Sequence, residues 1–230
     1  MKKGVFVCGT DTGVGKTIVT GLLGRFLKEK DRSVITQKWV QTGSSFPGSD
    51  ILTHLKIMRR PLREVYDCLE LISPYVFKFP ASPHLAARYE NKRINANKII
   101  TSFNSLSLRF DFVIVEGTGG VLVPLNGKTP IIDLVRKVGL PVLLIAQNKL
   151  GTINQTLLTI EAIEKRRIKV LGIILINIPG QEGLILRDNS KTIKDFSKVE
   201  ALGVLPWSKN YDFLYRRFIP AGRRIEKMIR

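Results

Sequence analysis

A glycine-rich segment that ends in Lys-Thr lies near the start of the chain, and its residue types suit phosphate binding. Residues 9–17 read Gly-Thr-Asp-Thr-Gly-Val-Gly-Lys-Thr. A loop with few side chains lets backbone N–H groups surround phosphate oxygens, and the N-terminus of a following helix adds a favourable dipole. We expect Lys16 to reach the terminal phosphates and the Thr17 hydroxyl to coordinate Mg²⁺. The other residues assigned to this nucleotide cradle are Gly13, Val14 and Gly15.

The segment departs from the usual spacing of such a loop. Four residues normally separate the first glycine from Gly-Lys. Here five residues separate Gly9 from Gly15, and Thr10 stands where a glycine is expected. A glycine-rich turn between a strand and a helix, with no ligand, is the alternative interpretation. The predicted strand before the loop and the predicted helix after it favour nucleotide binding.

Charged residues follow two further predicted strands. Glu116 precedes Gly-Thr-Gly-Gly (117–120) and either completes a Mg²⁺ shell or is a structural carboxylate. Lys38 ends the second predicted strand close to Gln-Thr-Gly (41–43). Because a lysine in such a cleft is costly without an anionic partner, we favour contact with a substrate or phosphate over a solvated strand end. Asp50 stands at a predicted helix start, where the spacing allows a helix cap or a metal ligand equally.

Short apolar runs alternate with helix-like stretches along the chain, which predicts an α/β fold. Because these runs are apolar on both faces, we expect a mostly parallel central sheet with helices on both sides. Ligands of such sheets bind beyond the carboxyl ends of the strands, which is where the motifs above lie. The expected strands are residues 5–8, 33–39, 112–115, 142–146, 170–176 and 202–205.

No linker or internal repeat divides the chain, so we expect a single P-loop α/β domain over residues 1–230. Residues 46–108 are less regular and are interpreted as an excursion packed on the sheet. Residues 208–230 form a basic C-terminal extension. Within it, residues 211–230 are expected to form one or two helices, broken near Pro220.

The composition excludes several classes of protein. Of the 230 residues, 44% are hydrophobic and 24% are charged, which argues against disordered, collagen-like and coiled-coil chains. No apolar run reaches the roughly 18–20 residues that a bilayer span needs. The two cysteines, Cys8 and Cys68, form neither a disulfide framework nor a zinc pattern, so we expect a reducing cytoplasm.

The net charge is the unusual feature of the composition. Lys and Arg number 37 against 19 Asp and Glu, which gives +18. Such a surface attracts polyanions non-specifically, but the basic residues are scattered and no nucleic-acid-binding motif accompanies them. We therefore expect a solvated basic surface with no specific nucleic-acid partner and no membrane attachment.

Taken together, these residues resemble the dethiobiotin synthetase family, whose members close the ureido ring in biotin synthesis. The ordered set of motifs is far more specific than any one of them. The matching segments are Gly-Thr-Asp-Thr-Gly-Val-Gly-Lys-Thr (9–17), Lys-Trp-Val-Gln-Thr-Gly (38–43), Ser-Pro-His-Leu-Ala-Ala (82–87), Val-Glu-Gly-Thr-Gly-Gly (115–120), Leu-Gly-Thr-Ile-Asn-Gln-Thr-Leu-Leu-Thr (150–159), Asn177 and Gly-Val-Leu-Pro-Trp (203–207).

The resemblance implies a reaction of 7,8-diaminopelargonate, CO₂ and MgATP that yields dethiobiotin, ADP and phosphate. One amine takes up CO₂ as a carbamate, whose oxygen attacks the γ-phosphate to form a carbamic–phosphoric anhydride. The second amine then attacks the anhydride and closes the ring. No covalent enzyme intermediate is needed, so catalysis depends on positioning and charge neutralisation.

The resemblance also implies roles for individual residues. Lys16 and Lys38 stabilise the carbamate and the transferring phosphoryl group, and Thr12 and Thr42 hydrogen-bond the substrate. Asn177 reads the adenine edge. The implied Mg²⁺ ligands are Thr17, Asp50 and Glu116. The remaining implied nucleotide contacts are Gly119, Leu205, Pro206 and Trp207.

A further implied contact lies at the start of a later helix. There Leu150, Gly151 and Asn154 bind the substrate carboxylate, and the helix dipole favours an anion at this end. In the family this segment comes from the neighbouring subunit. The resemblance therefore implies a homodimer with its active site at the subunit interface.

Some positions depart from the family pattern. Trp39 replaces a proline, Thr118 replaces an alanine, and residues 208–210 lack an acidic residue found in some members. We assign no catalytic role to the two histidines, His54 and His84.

Two other functions remain open from the sequence. A partitioning or positioning ATPase shares the loop type and would use the basic C-terminal segment as an anchor on DNA or membrane. Its signature lysine, however, is replaced by Asp11 in this chain. A related ATP-dependent amidoligase would instead need ammonia or glutamine for ATP turnover.

Overall fold

The computed structural model describes residues 3–229, which form a six-stranded sheet surrounded by helices. The strands are β1 (Gly4–Gly9), β2 (Val34–Lys38), β3 (Phe112–Gly120), β4 (Val142–Asn148), β5 (Val170–Asn177) and β6 (Ala201–Pro206). The helices are α1 (Lys16–Lys28), α2 (Ser49–Ile57), α3 (Leu69–Ile72), α4 (Pro83–Tyr89), α5 (Ala96–Arg109), α6 (Ile131–Val138), α7 (Thr152–Glu164), α8 (Gly183–Ser197) and α9 (Tyr211–Met228), with a 3-10 helix at Leu62–Cys68. All six expected strands are present, and β3 extends furthest beyond its expected end.

All six strands run parallel, in the order β2-β3-β1-β4-β5-β6. One buried cluster joins α1 and α9 to one face of the sheet, and another joins α5, α6 and α7 to the other face. The expected parallel P-loop fold with helices on both faces is confirmed. Since β2, β3 and β1 are neighbours, their carboxyl ends lie side by side.

The segment after β2 turns away from the sheet and returns beside it. The backbone N–H of Gln41 donates to the carbonyl of Tyr75, and the N–H of Phe77 donates to the carbonyl of Gln41, both at 2.9 Å. The excursion expected over residues 46–108 begins after this loop and contains α2, the 3-10 helix, α3, α4 and nearly all of α5. These bonds hold the loop after β2 against the excursion, next to the carboxyl end of the strand.

The C-terminal segment forms one continuous helix, so the expected break near Pro220 is wrong. Proline lacks the N–H that would bond to the preceding turn, which normally interrupts a helix. Helix α9 continues because its apolar face is held by packing, with Phe218 and Ile225 fully buried. An ion pair of 2.6 Å between Arg25 of α1 and Asp212 of α9 adds to this contact.

Most apolar residues of α9 thus pack in the protein's own core, whereas Met228 at its end is exposed. They do not supply the free apolar face that an interfacial membrane anchor needs. Among residues 3–229, every helix falls short of the length and apolarity required to cross a bilayer.

Replacing Phe218 by Ala should lower the free energy of unfolding by about 3–5 kcal/mol, because a fully buried aromatic side chain is lost from the contact between α9 and the core. Arg216→Ala, at an exposed position two residues earlier, should change it by less than about 0.5 kcal/mol. Urea unfolding followed by circular dichroism measures both. A Phe218→Ala protein as stable as the unchanged one would show that α9 does not belong to the folded core.

Candidate active site

The loop between β1 and α1 has a backbone shape that depends on glycine. Gly15 precedes α1 with φ 103°, in the left-handed region that favours glycine. A Cβ at this position would lie 3.1 Å from Cγ1 of Ile176, so a larger residue would also crowd β5. The first N–H groups of α1 have no partner within the helix and are available to a phosphate at this end.

Lys16, the first residue of α1, lies beneath the loop. Its Nζ donates to the backbone carbonyl of Asp11 at 2.6 Å, and its side chain is buried. Burial lowers the pKa of Lys16, and the nearby positive charge of Lys38 lowers it further. A bound phosphate would stabilise the charged form, so this ammonium group is suited to an anionic ligand.

Lys38 ends β2 directly beside Glu116 of β3, and acceptors surround its ammonium group. Its Nζ lies 2.7 Å from Glu116 Oε1, 2.8 Å from the carbonyl oxygen of Gly117 and 2.8 Å from Asp50 Oδ2. The Thr17 hydroxyl donates to the same Glu116 Oε1 at 3.0 Å. The structure therefore brings Thr17, Lys38, Asp50 and Glu116 together.

Asp50 does not cap a helix. Helix α2 begins at Ser49 with Gly48 before it, so Asp50 lies within the first turn, where its carboxylate pairs with Lys38. The helix-cap alternative that the sequence left open is thus wrong, while a role as a metal ligand stays a prediction.

His54, to which the sequence assigned no role, contacts the site directly. Its Nε2 lies 2.7 Å from Glu116 Oε2, and its side chain is fully buried. Asp50 and His54 are four residues apart on α2 and share one face of the helix. That spacing on a predicted helix would place His54 beside Asp50, but it does not show that this face meets Glu116.

Glu116 is buried and nevertheless ionised. Burial alone raises its pKa, but the charge of Lys38 and the hydrogen bond from His54 outweigh burial and lower the pKa from 4.5 to about 2. Burial lowers the pKa of Lys38, but the carboxylates of Glu116 and Asp50 reverse this and raise the pKa above its usual value. Lys38 and Glu116 therefore form a charged pair at neutral pH.

A cavity of about 690 Å³ opens at the carboxyl ends of β1, β2 and β3. Lys16 and Lys38 line it, together with the expected substrate contacts Thr12 and Thr42 and the expected nucleotide contact Gly119. The ammonium groups of Lys16 and Lys38 thus share one space with several hydroxyl groups and the carboxylates of Asp50 and Glu116, which suits a charged, polar ligand.

A second cavity of about 450 Å³ adjoins the first, and Gly13, Gly15 and Ile18 line both. The expected nucleotide contacts that line the second cavity are Val14, Leu205, Pro206 and Trp207. Asn177 is not among the described residues that line it. The side-chain oxygen of Asn177 accepts a hydrogen bond of 2.9 Å from Asn148.

Leu150, Gly151 and Asn154 lie outside both cavities described here. They stand at the junction of β4 and α7, where Leu150 is 77% exposed and Asn154 is also exposed. Within the described part of one chain, the expected carboxylate contact is therefore separate from the two lysines.

The groups around Glu116 fit a magnesium ion by their chemistry. Mg²⁺ prefers oxygen ligands, and the Thr17 hydroxyl and the carboxylates of Asp50 and Glu116 supply three of them. No three His, Cys, Asp or Glu side chains between residues 3 and 229 form a metal-binding group on their own.

Comparisons with known proteins identify the family. A family of AAA domains matches residues 3–213. The ATP-dependent dethiobiotin synthetase of Thermodesulfovibrio yellowstonii is 37% identical over 215 residues, which cover 90% of each chain. The ATP-dependent dethiobiotin synthetase 2 of Haemophilus influenzae is 41% identical over 187 residues, which cover 81% of this chain and 97% of that one. The chain belongs to the dethiobiotin synthetase family.

Solved structures show the same fold in other ATPases. The septum site-determining protein MinD of Pyrococcus horikoshii, complexed with Mg-ADP, matches with a TM-score of 0.61 at 15% identity, over 99% of this chain and 97% of that one. The pNOB8 ParA bound to nonspecific DNA matches with a TM-score of 0.61 at 13% identity, over 99% of both chains. At these identities the likeness shows the P-loop fold alone.

Family membership confirms the main functional expectation from the sequence: the chain is an ATP-dependent dethiobiotin synthetase, a ligase that forms carbon–nitrogen bonds. The roles of individual residues, the magnesium ion and the homodimer stay predictions. So do the domain bounds, the cytoplasmic location and the expectation of no nucleic-acid or membrane partner.

Replacing Glu116 by Gln should remove part of the pH dependence of stability. Because the pKa of Glu116 falls from 4.5 to about 2 on folding, its ionised form stabilises the fold above pH 4.5, and this contribution is lost as the pH falls towards 2. The difference in unfolding free energy between the two proteins should therefore shrink by about 2 kcal/mol from pH 7 to pH 3. Urea unfolding at both pH values measures it, and a constant difference would contradict the assignment.

Proposed function

We propose that the cavity at the carboxyl ends of β1, β2 and β3 joins CO₂ to 7,8-diaminopelargonate and closes the ring of dethiobiotin, with ATP and Mg²⁺. The observation that carries this assignment of the site is the convergence of Lys16 and Lys38 on one cavity with the carboxylates of Asp50 and Glu116. Phosphoryl transfer to a carbamate needs positive charge beside the transferred group and oxygen ligands for the metal, and this cavity supplies both.

The proposed reaction proceeds in three steps on the substrates. One amine adds to the carbon of CO₂ and loses a proton, which gives a carbamate. A carbamate oxygen then attacks the γ-phosphorus, and the bond to the bridging oxygen breaks to release ADP. The second amine attacks the carbonyl carbon of the anhydride, phosphate leaves, and the ureido ring closes. Because each step joins groups held side by side, positioning supplies much of the rate enhancement.

Lys38 has to exchange partners before it contacts a substrate. Its ammonium group has three protons, and three acceptors already surround it, two of them carboxylates. A carbamate or γ-phosphoryl oxygen would replace one of these acceptors. Lys16 would exchange the carbonyl of Asp11 for a phosphate oxygen. Both ammonium groups would then offset the negative charge that develops during phosphoryl transfer.

The Thr17 hydroxyl and the carboxylates of Asp50 and Glu116 are the proposed ligands of Mg²⁺. When bound, the metal would offset the negative charge of the phosphates. Both carboxylates that Lys38 contacts in the structure would then have a second cation as neighbour.

The adenine is assigned to the second cavity, because this cavity adjoins the phosphate loop and has apolar walls for a flat base. Trp207 is 56% exposed and offers a ring face to the base, with Leu205 and Pro206 beside it. Asn177 would hydrogen-bond the edge of the adenine. Its side-chain oxygen already accepts a bond from Asn148, so its amide protons and the second lone pair of that oxygen would make the contact.

A partner subunit would complete the site. Leu150, Gly151 and Asn154 lie outside the cavities of their own chain, although the N-terminus of α7 suits a carboxylate. Leu150 just before α7, Leu158 of α7 and Leu184 of α8 are exposed apolar side chains, and the two helices pack together. Burial of this surface in a homodimer would bring residues 150–154 to the cavity of the neighbouring chain.

A partitioning or positioning ATPase receives no specific support from the structure. Asp11 stands in the loop where such an ATPase carries its signature lysine, and the apolar face of α9 is buried in the core. The similarity to MinD and ParA concerns the fold alone.

Formation of dethiobiotin should require diaminopelargonate, bicarbonate and MgATP together, and Lys38→Ala should reduce it by about a hundredfold to a thousandfold, because a cation beside the transferred phosphoryl group is lost. Mass spectrometry measures the product. ADP affinity, measured by calorimetry, should change by less than about threefold, because Lys38 lies outside the phosphate loop and ADP lacks the γ-phosphate that Lys38 is proposed to contact. Lys137→Ala, at an exposed lysine of α6, is the control and should leave both quantities unchanged.

Unchanged turnover in the Lys38→Ala protein would remove Lys38 from the mechanism. ATP turnover that depends on ammonia or glutamine, and not on bicarbonate, would favour the amidoligase alternative over dethiobiotin synthesis.

Asn154→Asp tests the shared site, because it adds a negative charge where the substrate carboxylate is expected, with almost no change in size. The KM for diaminopelargonate should rise at least about tenfold. After subunit exchange, an equal mixture of Lys38→Ala and Asn154→Asp chains should regain up to about one quarter of wild-type activity, since half of the dimers are mixed and each has one intact site. No recovery, in a mixture that light scattering shows to be dimeric, would place the carboxylate contact within one chain.

A further inference from the structure

His54 forms a hydrogen bond with the Glu116 carboxylate from the side that faces away from the cavity. Its side chain is fully buried, its Nε2 lies 2.7 Å from Glu116 Oε2, and it is not among the described residues that line the cavity. Its other ring nitrogen, Nδ1, has no hydrogen-bond partner within residues 3–229. Because an ionised carboxylate oxygen is an acceptor only, the Nε2–H of His54 donates to Glu116.

The two oxygens of Glu116 have different partners. Oε2 accepts from His54, whereas Oε1 accepts from Lys38 and from the Thr17 hydroxyl. The bond from His54 therefore restricts rotation of the carboxylate about its last single bond. This rotation decides which oxygen faces Thr17 and the phosphate loop.

Lys38 can give up its contact with Glu116 in exchange for a substrate anion, whereas His54 keeps its hydrogen bond to Glu116. Three acceptors already surround the ammonium group of Lys38, so any contact with a substrate anion loosens its hold on one of them. His54 bonds the opposite oxygen from within α2, away from the cavity, and takes no part in that exchange. The same helix carries Asp50 one turn earlier, so α2 supplies one carboxylate and the group that orients the other.

We propose that His54 is a positioning residue that holds the Glu116 carboxylate in its metal-binding orientation while Lys38 turns to the substrate. This inference rests on the proposed function, in which Glu116 binds Mg²⁺ and Lys38 contacts the substrate. A ligand fixed by an outer hydrogen bond binds a metal more tightly, and the loss of such a bond typically weakens metal binding or activity by about 10- to 100-fold.

The test measures Mn²⁺ binding to the full-length protein in the presence of ADP, by electron paramagnetic resonance. His54→Leu removes the donor and should weaken Mn²⁺ binding and lower kcat by about tenfold or more. His54→Gln places an amide N–H near the position of Nε2 and should stay within about threefold of the wild type. ADP affinity measured in EDTA should change by less than twofold in both variants, because His54 does not contact the phosphate loop.

Ile51→Val is the matched control, since Ile51 is fully buried on the same helix and belongs to the apolar core. It should leave Mn²⁺ binding and kcat unchanged. If His54→Leu does not fold, His54→Asn takes its place, because the shorter amide cannot reach Glu116. Thermal unfolding and circular dichroism establish that each variant compared is folded.

Two results would overturn the inference while leaving the proposed function intact. One is a folded His54→Leu or His54→Asn protein whose Mn²⁺ affinity and kcat stay within twofold of the wild type. The other is a His54→Gln protein that binds Mn²⁺ as weakly as the Leu variant. Absence of ADP-dependent Mn²⁺ binding in the wild type would instead contradict the proposed metal site, and the role of His54 with it.

Discussion

The carboxylate of Glu116 is almost completely buried, and a buried charge is tolerated only where neighbouring groups replace the hydration that it loses. Lys38 of β2, Thr17 of α1 and His54 of α2 meet this requirement from three different elements. Removing one partner of a buried ion pair typically costs about 3–5 kcal/mol. The sheet, the helix of the phosphate loop and the excursion are therefore all tied to one side chain, and the geometry of the cavity depends on its charge.

The parallel sheet explains why these groups meet. Lys38 and Glu116 are register partners on β2 and β3, and both lie close to the carboxyl ends of their strands. An antiparallel pair would instead place the end of one strand beside the start of the next. Strand β1 ends at the same edge and leads into the phosphate loop, so the N-terminus of α1 points to this place as well. The topology thus brings three separate sequence motifs together around one cavity.

Much of this arrangement could be predicted from the sequence, because it depends on short-range patterns. Buried parallel strands appear as apolar runs, and chemistry lies directly after them, as in residues 9–17 and at Glu116. His54 could not be recognised in the same way: its spacing from Asp50 defines a helix face but not what that face meets. The unbroken α9 could not be predicted for a similar reason. By local rules Pro220 predicts a break in the helix, but tertiary packing of the apolar face of α9 overrides that local preference.

Two of the three departures from the family pattern, Trp39 and Thr118, act on the same loop. Proline restricts the backbone, and a tryptophan in its place does not. Trp39 is instead held by its side chain, which is buried against Phe6 of β1 with ring centroids 5.0 Å apart. The Thr118 hydroxyl donates to the backbone carbonyl of Val40, a bond that the usual alanine cannot make. One side-chain contact and one hydrogen bond thus replace the constraint that proline would give, and they hold the loop that carries Thr42 at the edge of the cavity.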